Sequence, residues 1–82
     1  MVADVDIPAS FSQDDIKRFR RNLQNEVDGQ ALYLRLAEAE DDANLKEVFR
    51  RLAESEGGHL ELWRSKLREA KAEVPDLRPS LR

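Results

Sequence analysis

The sequence predicts an all-α fold, a two-helix antiparallel hairpin that dimerises into a four-helix bundle. Three observations predict it. Apolar residues recur at a helical period along two segments, no Pro interrupts the chain between Pro8 and Pro75, and one acidic break, Glu40-Asp41-Asp42, separates the segments. A lone hairpin covers only one face of each helix, so a second hairpin is expected to cover the rest. At 82 residues the chain fits one small domain with little capacity to bury a core alone.

Residues 1–11 read as an irregular N-terminal arm carrying acids, small residues and Pro8. The hairpin spans 12–74. Ser12 is the expected N-cap, Phe11 and Ile16 hold the two positions of a hydrophobic staple, and Asp14 and Asp15 suit the positive end of the helix dipole. A helix over 12–39 follows, with Ile16, Phe19, Leu23, Val27, Leu34 and Ala37 on one stripe. Glu40, Asp41, Asp42 and Asn44 make the turn, and Asp42 or Asn44 caps the next helix. That helix, 43–73, carries Leu45, Phe49, Leu52, Leu60, Trp63 and Leu67. Pro75 and Pro79 end it and leave an extended tail over 75–82. Gly57-Gly58 lies inside it, and each Gly costs about 0.8–1 kcal/mol relative to Ala. The apolar phase nevertheless runs from Leu45 to Leu67 without the reset a turn would bring, which predicts one continuous helix.

Composition narrows the function classes. The absence of Cys excludes a disulfide framework or a thiolate zinc site. A net charge of −3 argues against a phosphate-tracking nucleic-acid binder. No apolar run approaches the ~18 residues of a membrane span, and the acidic N-terminus is unlike a secretory leader, so the expected location is cytoplasmic.

The informative residues are those that interrupt the stripes. Glu26, Gln30 and Tyr33 face inward on the first helix, and Glu56 and His59 occupy the stripe of the second between Leu52 and Trp63. An inward carboxylate must be paired, protonated or bound to a cation. With the turn centred near residues 41–42, antiparallel helices bring Glu26 and Glu56 to matching height. His59, three residues past Glu56, is displaced about 60° and ~4.5 Å, so both reach one ion. Each hairpin then offers two carboxylates and an imidazole, and a symmetric dimer offers twice that. Carboxylate oxygens with one imidazole per metal suit Fe(II), Mn(II) or Zn(II), and this is the donor set of di-iron carboxylate bundles.

The stretches Asn22-Leu23-Gln24-Asn25-Glu26-Val27-Asp28 and Glu54-Ser55-Glu56-Gly57-Gly58-His59 resemble one half of a rubrerythrin-type, ferritin-like domain. The resemblance spans residues 14–70 and is strongest to half-length encapsulated ferritins and to the ferritin-like region ahead of vacuolar-iron-transporter-type membrane domains. It implies a di-iron centre held by Glu26, Glu56 and His59 of each chain and ferroxidase chemistry, the oxidation of Fe(II) by O₂ or peroxide. It also implies that Tyr33, seven residues after Glu26, hydrogen-bonds near the metal as an orienting group in the catalytic set. A homodimer or larger homo-oligomer is expected, with an encapsulin shell or a C-terminal membrane iron-transport domain as possible company. Asn25 stands where the family carries an entry-site acid, leaving Asp28 for that role. The tail Pro79-Ser80-Leu81-Arg82 resembles a cargo-loading tail, and equally a junction with a longer chain.

Two other readings fit the same residues. In a metal-free oligomerisation module the inward acids would pair with Arg and set register, Glu26 with Arg20 or Arg51. A structural zinc or manganese site would bind metal without oxidising it. Trp63 reads as core, Glu38 to Asp42 as a solvated turn, and Leu32 and Leu36, off the main seam, as a candidate second interface.

Overall fold

A computed structural model describes residues 11–80; the N-terminal arm before Phe11 and the last two residues of the tail lie outside the described residues. Two helices of 27 residues each, α1 (Gln13–Ala39) and α2 (Ala43–Glu69), pack as an antiparallel hairpin, and no strand is present among the described residues. Ser12 closes a capping box. Its hydroxyl accepts from the Asp15 amide at 3.1 Å, and the Asp15 carboxylate accepts from the Ser12 amide at 2.9 Å. Phe11 and Ile16 complete the staple, and Phe11 meets the edge of Phe19 at 5.5 Å between centroids. Of the two candidate caps for α2, Asp42 serves, accepting from the Leu45 amide at 2.9 Å. The second helix runs unbroken through Gly57-Gly58.

The register follows from the three-residue connection. Phe19 lies against Trp63 and Tyr33 stacks on Phe49, and each pair is equidistant in sequence from Asp41. The pair Glu26 and Glu56 obeys the same rule.

The structure moves one expected boundary and refines two other expectations. First, α2 ends at Glu69 rather than at residue 73. The Ala72 amide donates to the Leu67 carbonyl and the Lys71 amide to the Arg68 carbonyl, with Lys71 left-handed at φ 57. This is a Schellman termination, and it reverses the chain before either proline acts. Second, the tail is extended but docked. Ala72, Val74 and Leu77 pack against Ile16, Leu23, Leu60 and Leu67, and Gln24 Nε2 donates to the Arg78 carbonyl at 2.9 Å. Third, the α2 stripe is buried at Leu60 and Leu67 as expected but not at Leu45 and Leu52. Ala53, Leu60 and Leu67, at strict heptad spacing, face α1, whereas Leu45 and Leu52 remain 42% and 38% exposed. Leu34 is also open, at 48%, because the docked tail reaches only the level of Asp28, where Ser80 is held.

Candidate metal centre

Midway along the hairpin, Glu26 of α1 meets Glu56 and His59 of α2. His59 Nδ1 lies 3.4 Å from Glu26 Oε1 and 3.8 Å from Glu56 Oε1. One donor atom from each residue falls within 4.8 Å of the other two. Both carboxylates are half-buried, while the imidazole is 53% exposed, so the cluster opens to one flank of the hairpin. The helical step from Glu56 to His59 puts them on one face of α2, and the shared register brings Glu26 opposite.

Two further residues shape the cluster, and the sequence reading had given neither this role. Gly29, three residues past Glu26, removes the side chain that would stand against Glu56: a Cβ there would lie 3.4 Å from the Glu56 carboxyl carbon and Oε1. Gln30 crosses to α2 and donates from Nε2 to the Ala53 carbonyl at 3.3 Å, passing over Gly57, where a Cβ would approach the amide to 3.1 Å. Gly57 is therefore a point of close approach between the helices. Gly58 is not, since nothing lies within 4 Å of its Cβ direction. A Gly between two metal-type ligands on one helix was the available signal for Gly57, and for Gln30 it was an inward-facing amide on the apolar stripe, which does not say what the amide meets.

Tyr33 stands apart from the cluster. Its seven-residue step from Glu26 carries it a full layer toward the connection, where its ring stacks on Phe49 at 6.5 Å. No hydrogen bond joins its hydroxyl to Glu26, Glu56 or His59, so the expected orienting contact is absent from the isolated chain. Asp28 is also spent elsewhere. Its oxygens accept from the Ser80 amide at 2.7 Å, the Ser80 hydroxyl at 2.6 Å and Gln24 Nε2 at 3.0 Å. The Ser80 hydroxyl first, then its amide and Gln24, hold the Asp28 carboxyl below the usual carboxylate range. An ion-entry role for Asp28 therefore conflicts with its part in holding the tail. Neither expected Arg partner claims Glu26: Arg51 pairs with Glu47 at 3.2 Å, and Glu26 faces His59.

The donor types suit a divalent cation, and so do two of the three separations. Donors about 2.1 Å from a common ion lie about 3–4.2 Å apart, which brackets both imidazole–carboxylate separations here. Two carboxylates neutralise one divalent charge, and three donors leave coordination positions open. Comparison with known proteins adds no assignment: no family model matches the chain, and no curated protein or solved structure matches it. No helix among the described residues is long and apolar enough to cross a membrane.

Proposed function

We propose that this chain is a ferroxidase-type di-iron protein of the ferritin-like kind, working as a homodimer or larger homo-oligomer. Two hairpins pack through the flanks that carry the clusters, forming a four-helix bundle around four carboxylates and two imidazoles. The observation that carries this reading is the convergence of Glu26, Glu56 and His59 within 4.8 Å on a flank that the described residues leave open. Leu45, Leu52 and His59 fall at strict heptad spacing along that flank of α2, supplying the apolar line a second copy needs.

In this reading Glu26, Glu56 and His59 would hold the iron, with Glu56, set against the bare backbone of Gly29, as the shared carboxylate and Glu26 and His59 as terminal ligands. Fe(II) is the substrate: two ions give up one electron each, the two needed to reduce one H₂O₂ to water or O₂ to peroxide. Tyr33 approaches the site only if its ring leaves Phe49 when the second chain docks. So small a bundle has no mineral cavity, so iron storage or detoxification calls for a partner such as an encapsulin-type shell or a membrane iron-transport domain.

One observation favours a second reading. His59 already faces Glu26 at 3.4 Å, so the same residues could serve as a polar network that sets register in a metal-free oligomerisation module. A structural zinc or manganese site is the third. Native mass spectrometry during anaerobic Fe(II) titration, followed by exposure to oxygen, separates them. Two irons per dimer and their oxidation are expected, both lost in Glu56→Ala. A dimer that takes up no iron refutes the proposal, and metal uptake without oxidation leaves the structural site.

A further inference from the structure

A hairpin has two flanks on which a second copy can settle, and this chain treats them differently. Glu26 faces the metal flank. Gln24 and Asp28 lie two residues to either side of it, which on a helix is about 200° around the axis. They therefore address the opposite flank, and both are bonded to the tail.

That opposite flank is closed within the chain. Lys71 reverses the direction at the end of α2, and the tail then runs back beside α1 with Ala72, Val74 and Leu77 against the core. Pro75 and Pro79 bias this stretch toward extended backbone before it docks, which reduces the entropy lost on docking. Ser80 fastens the far end by giving two hydrogen bonds to Asp28. Leu23, level with the docked tail, is 1% exposed, whereas Leu34, above the tail, is 48% exposed; Ala37, also above it, is buried at 4% by the helix pair alone, so the tail adds cover where the helices leave a flank open. Among the described residues the metal flank has no such cover, and Leu45, Val48 and Leu52, on the same side of α2 as His59, stand open.

We infer that residues 72–80 are an assembly-directing cover, which occupies one apolar flank of the hairpin and leaves only the cluster-bearing flank for a second copy. Without the cover, the flank carrying Leu23, Leu60 and Leu67 becomes a second docking surface for the same chain. Hairpins open on both flanks then associate without closing into a dimer. That the cluster-bearing flank receives a second copy rests on the dimer proposed above; the cover itself does not.

The test uses the full chain and two variants. Val74→Asp with Leu77→Asp lifts the tail from the core, and Asp28→Ala releases its end without touching the apolar contacts. Sedimentation velocity reads assembly size, hydrogen exchange at the Ser80 amide reads docking, and circular dichroism checks helicity. The unaltered chain is expected to protect the Ser80 amide at least about tenfold over either variant. Helical variants with the tail released are expected to sediment as species larger than the unaltered chain. An unprotected Ser80 amide in the unaltered chain overturns the inference, as does a released tail with unchanged assembly size. Should the double variant lose its helices, Asp28→Ala decides alone. A monomeric unaltered chain would refute the proposed dimer, while association of the released variants would still establish the cover.

Discussion

The two adjacent glycines inside the Glu56–His59 segment separate helix propensity from interhelical contact. Both sit in the interior of α2, so replacing either by Ala is worth about 0.8–1 kcal/mol in propensity. At Gly58 nothing opposes this gain, because an added Cβ meets no atom within 4 Å. Gly58→Ala should therefore stabilise the chain by about 0.8–1 kcal/mol, a rise of roughly 4–8 °C in melting temperature for a domain of this size. At Gly57 the same methyl arrives 3.1 Å from Gln30 Nε2 and displaces the amide from the Ala53 carbonyl. That hydrogen bond is worth about 0.5–1.5 kcal/mol, so Gly57→Ala should come out near zero or slightly destabilising. Urea denaturation of both variants at equal protein concentration reads the difference directly. Equal stabilisation by the two would refute the Gln30 crossing. Destabilisation by Gly58→Ala would refute the unobstructed helix face on which the argument rests.

Two further predictions concern the helix ends. Lys71 occupies the left-handed position of the Schellman turn, where a side chain costs about 1–2 kcal/mol, so Lys71→Gly should raise the urea midpoint by the equivalent of about 1 kcal/mol. An unchanged or lower midpoint would mean that the turn does not end α2 in solution. The Asp15 carboxyl is held below its ordinary range, first by the Ser12 amide, then by the Ser12 hydroxyl and Arg18, against an opposing effect of desolvation. Its contribution to the start of α1 is therefore complete above the ordinary carboxylate range and is lost as pH falls through the depressed value. Amide exchange in the first turn should show this acid loosening, and Asp15→Asn should remove it.

Much of the fold was legible because it is local. Ser12 and Asp15 signal a cap within one turn, Asp42 does so for α2, and a short acidic connection between equal helices leaves one register open, which sets Glu26 opposite Glu56. Helical spacing then supplied His59, and three residues far apart in sequence were readable as a cluster. The misses share a different cause. Ala53 carries too little apolar weight to mark a seam, so near the connection the larger Leu45 and Leu52 stand in the expected stripe where Ala53 is the buried residue, while Leu60 and Leu67 hold it as expected. The end of α2 depends on a left-handed Lys, which lacks the glycine signature of such turns. The bond from Ser80 to Asp28 joins residues 52 apart through two short polar side chains, and no periodicity encodes it. Val74 and Leu77, apolar within a proline-bearing tail, were the signal that the tail returns to the core. Tyr33 shows the opposite limit: heptad spacing put it on the correct face but said nothing of the aromatic partner waiting one layer up.

The distribution of ion pairs bears on how metal and assembly depend on each other. The chain has 14 Lys and Arg, and those in ion pairs among the described residues go to Asp15, Glu47, Glu61 and Glu69, never to Glu26 or Glu56. In the isolated hairpin this costs little, since the cluster is open to water on one flank and His59 stands beside both acids. Closing two such flanks over each other is different. It would bring four carboxylates and two imidazoles into one desolvated layer, and an unpaired buried charge costs several kcal/mol. A divalent ion in each half cancels that charge, so metal uptake and dimerisation should favour each other, and by linkage the preference is mutual. The proposed dimer should dissociate at higher protein concentration after chelation than with Fe(II), Mn(II) or Zn(II) present. At a metal concentration one hundred times its Kd, each ion bound only by the assembly should add about 2.7 kcal/mol. His59→Ala should abolish both effects while preserving the helices. If sedimentation equilibrium instead gives one dimer constant with metal and with chelator, the carboxylates are accommodated without a cation. The heptad line of Leu45 and Leu52 alone would then hold the copies together, and Glu26, Glu56 and His59 would be a polar network that sets their register.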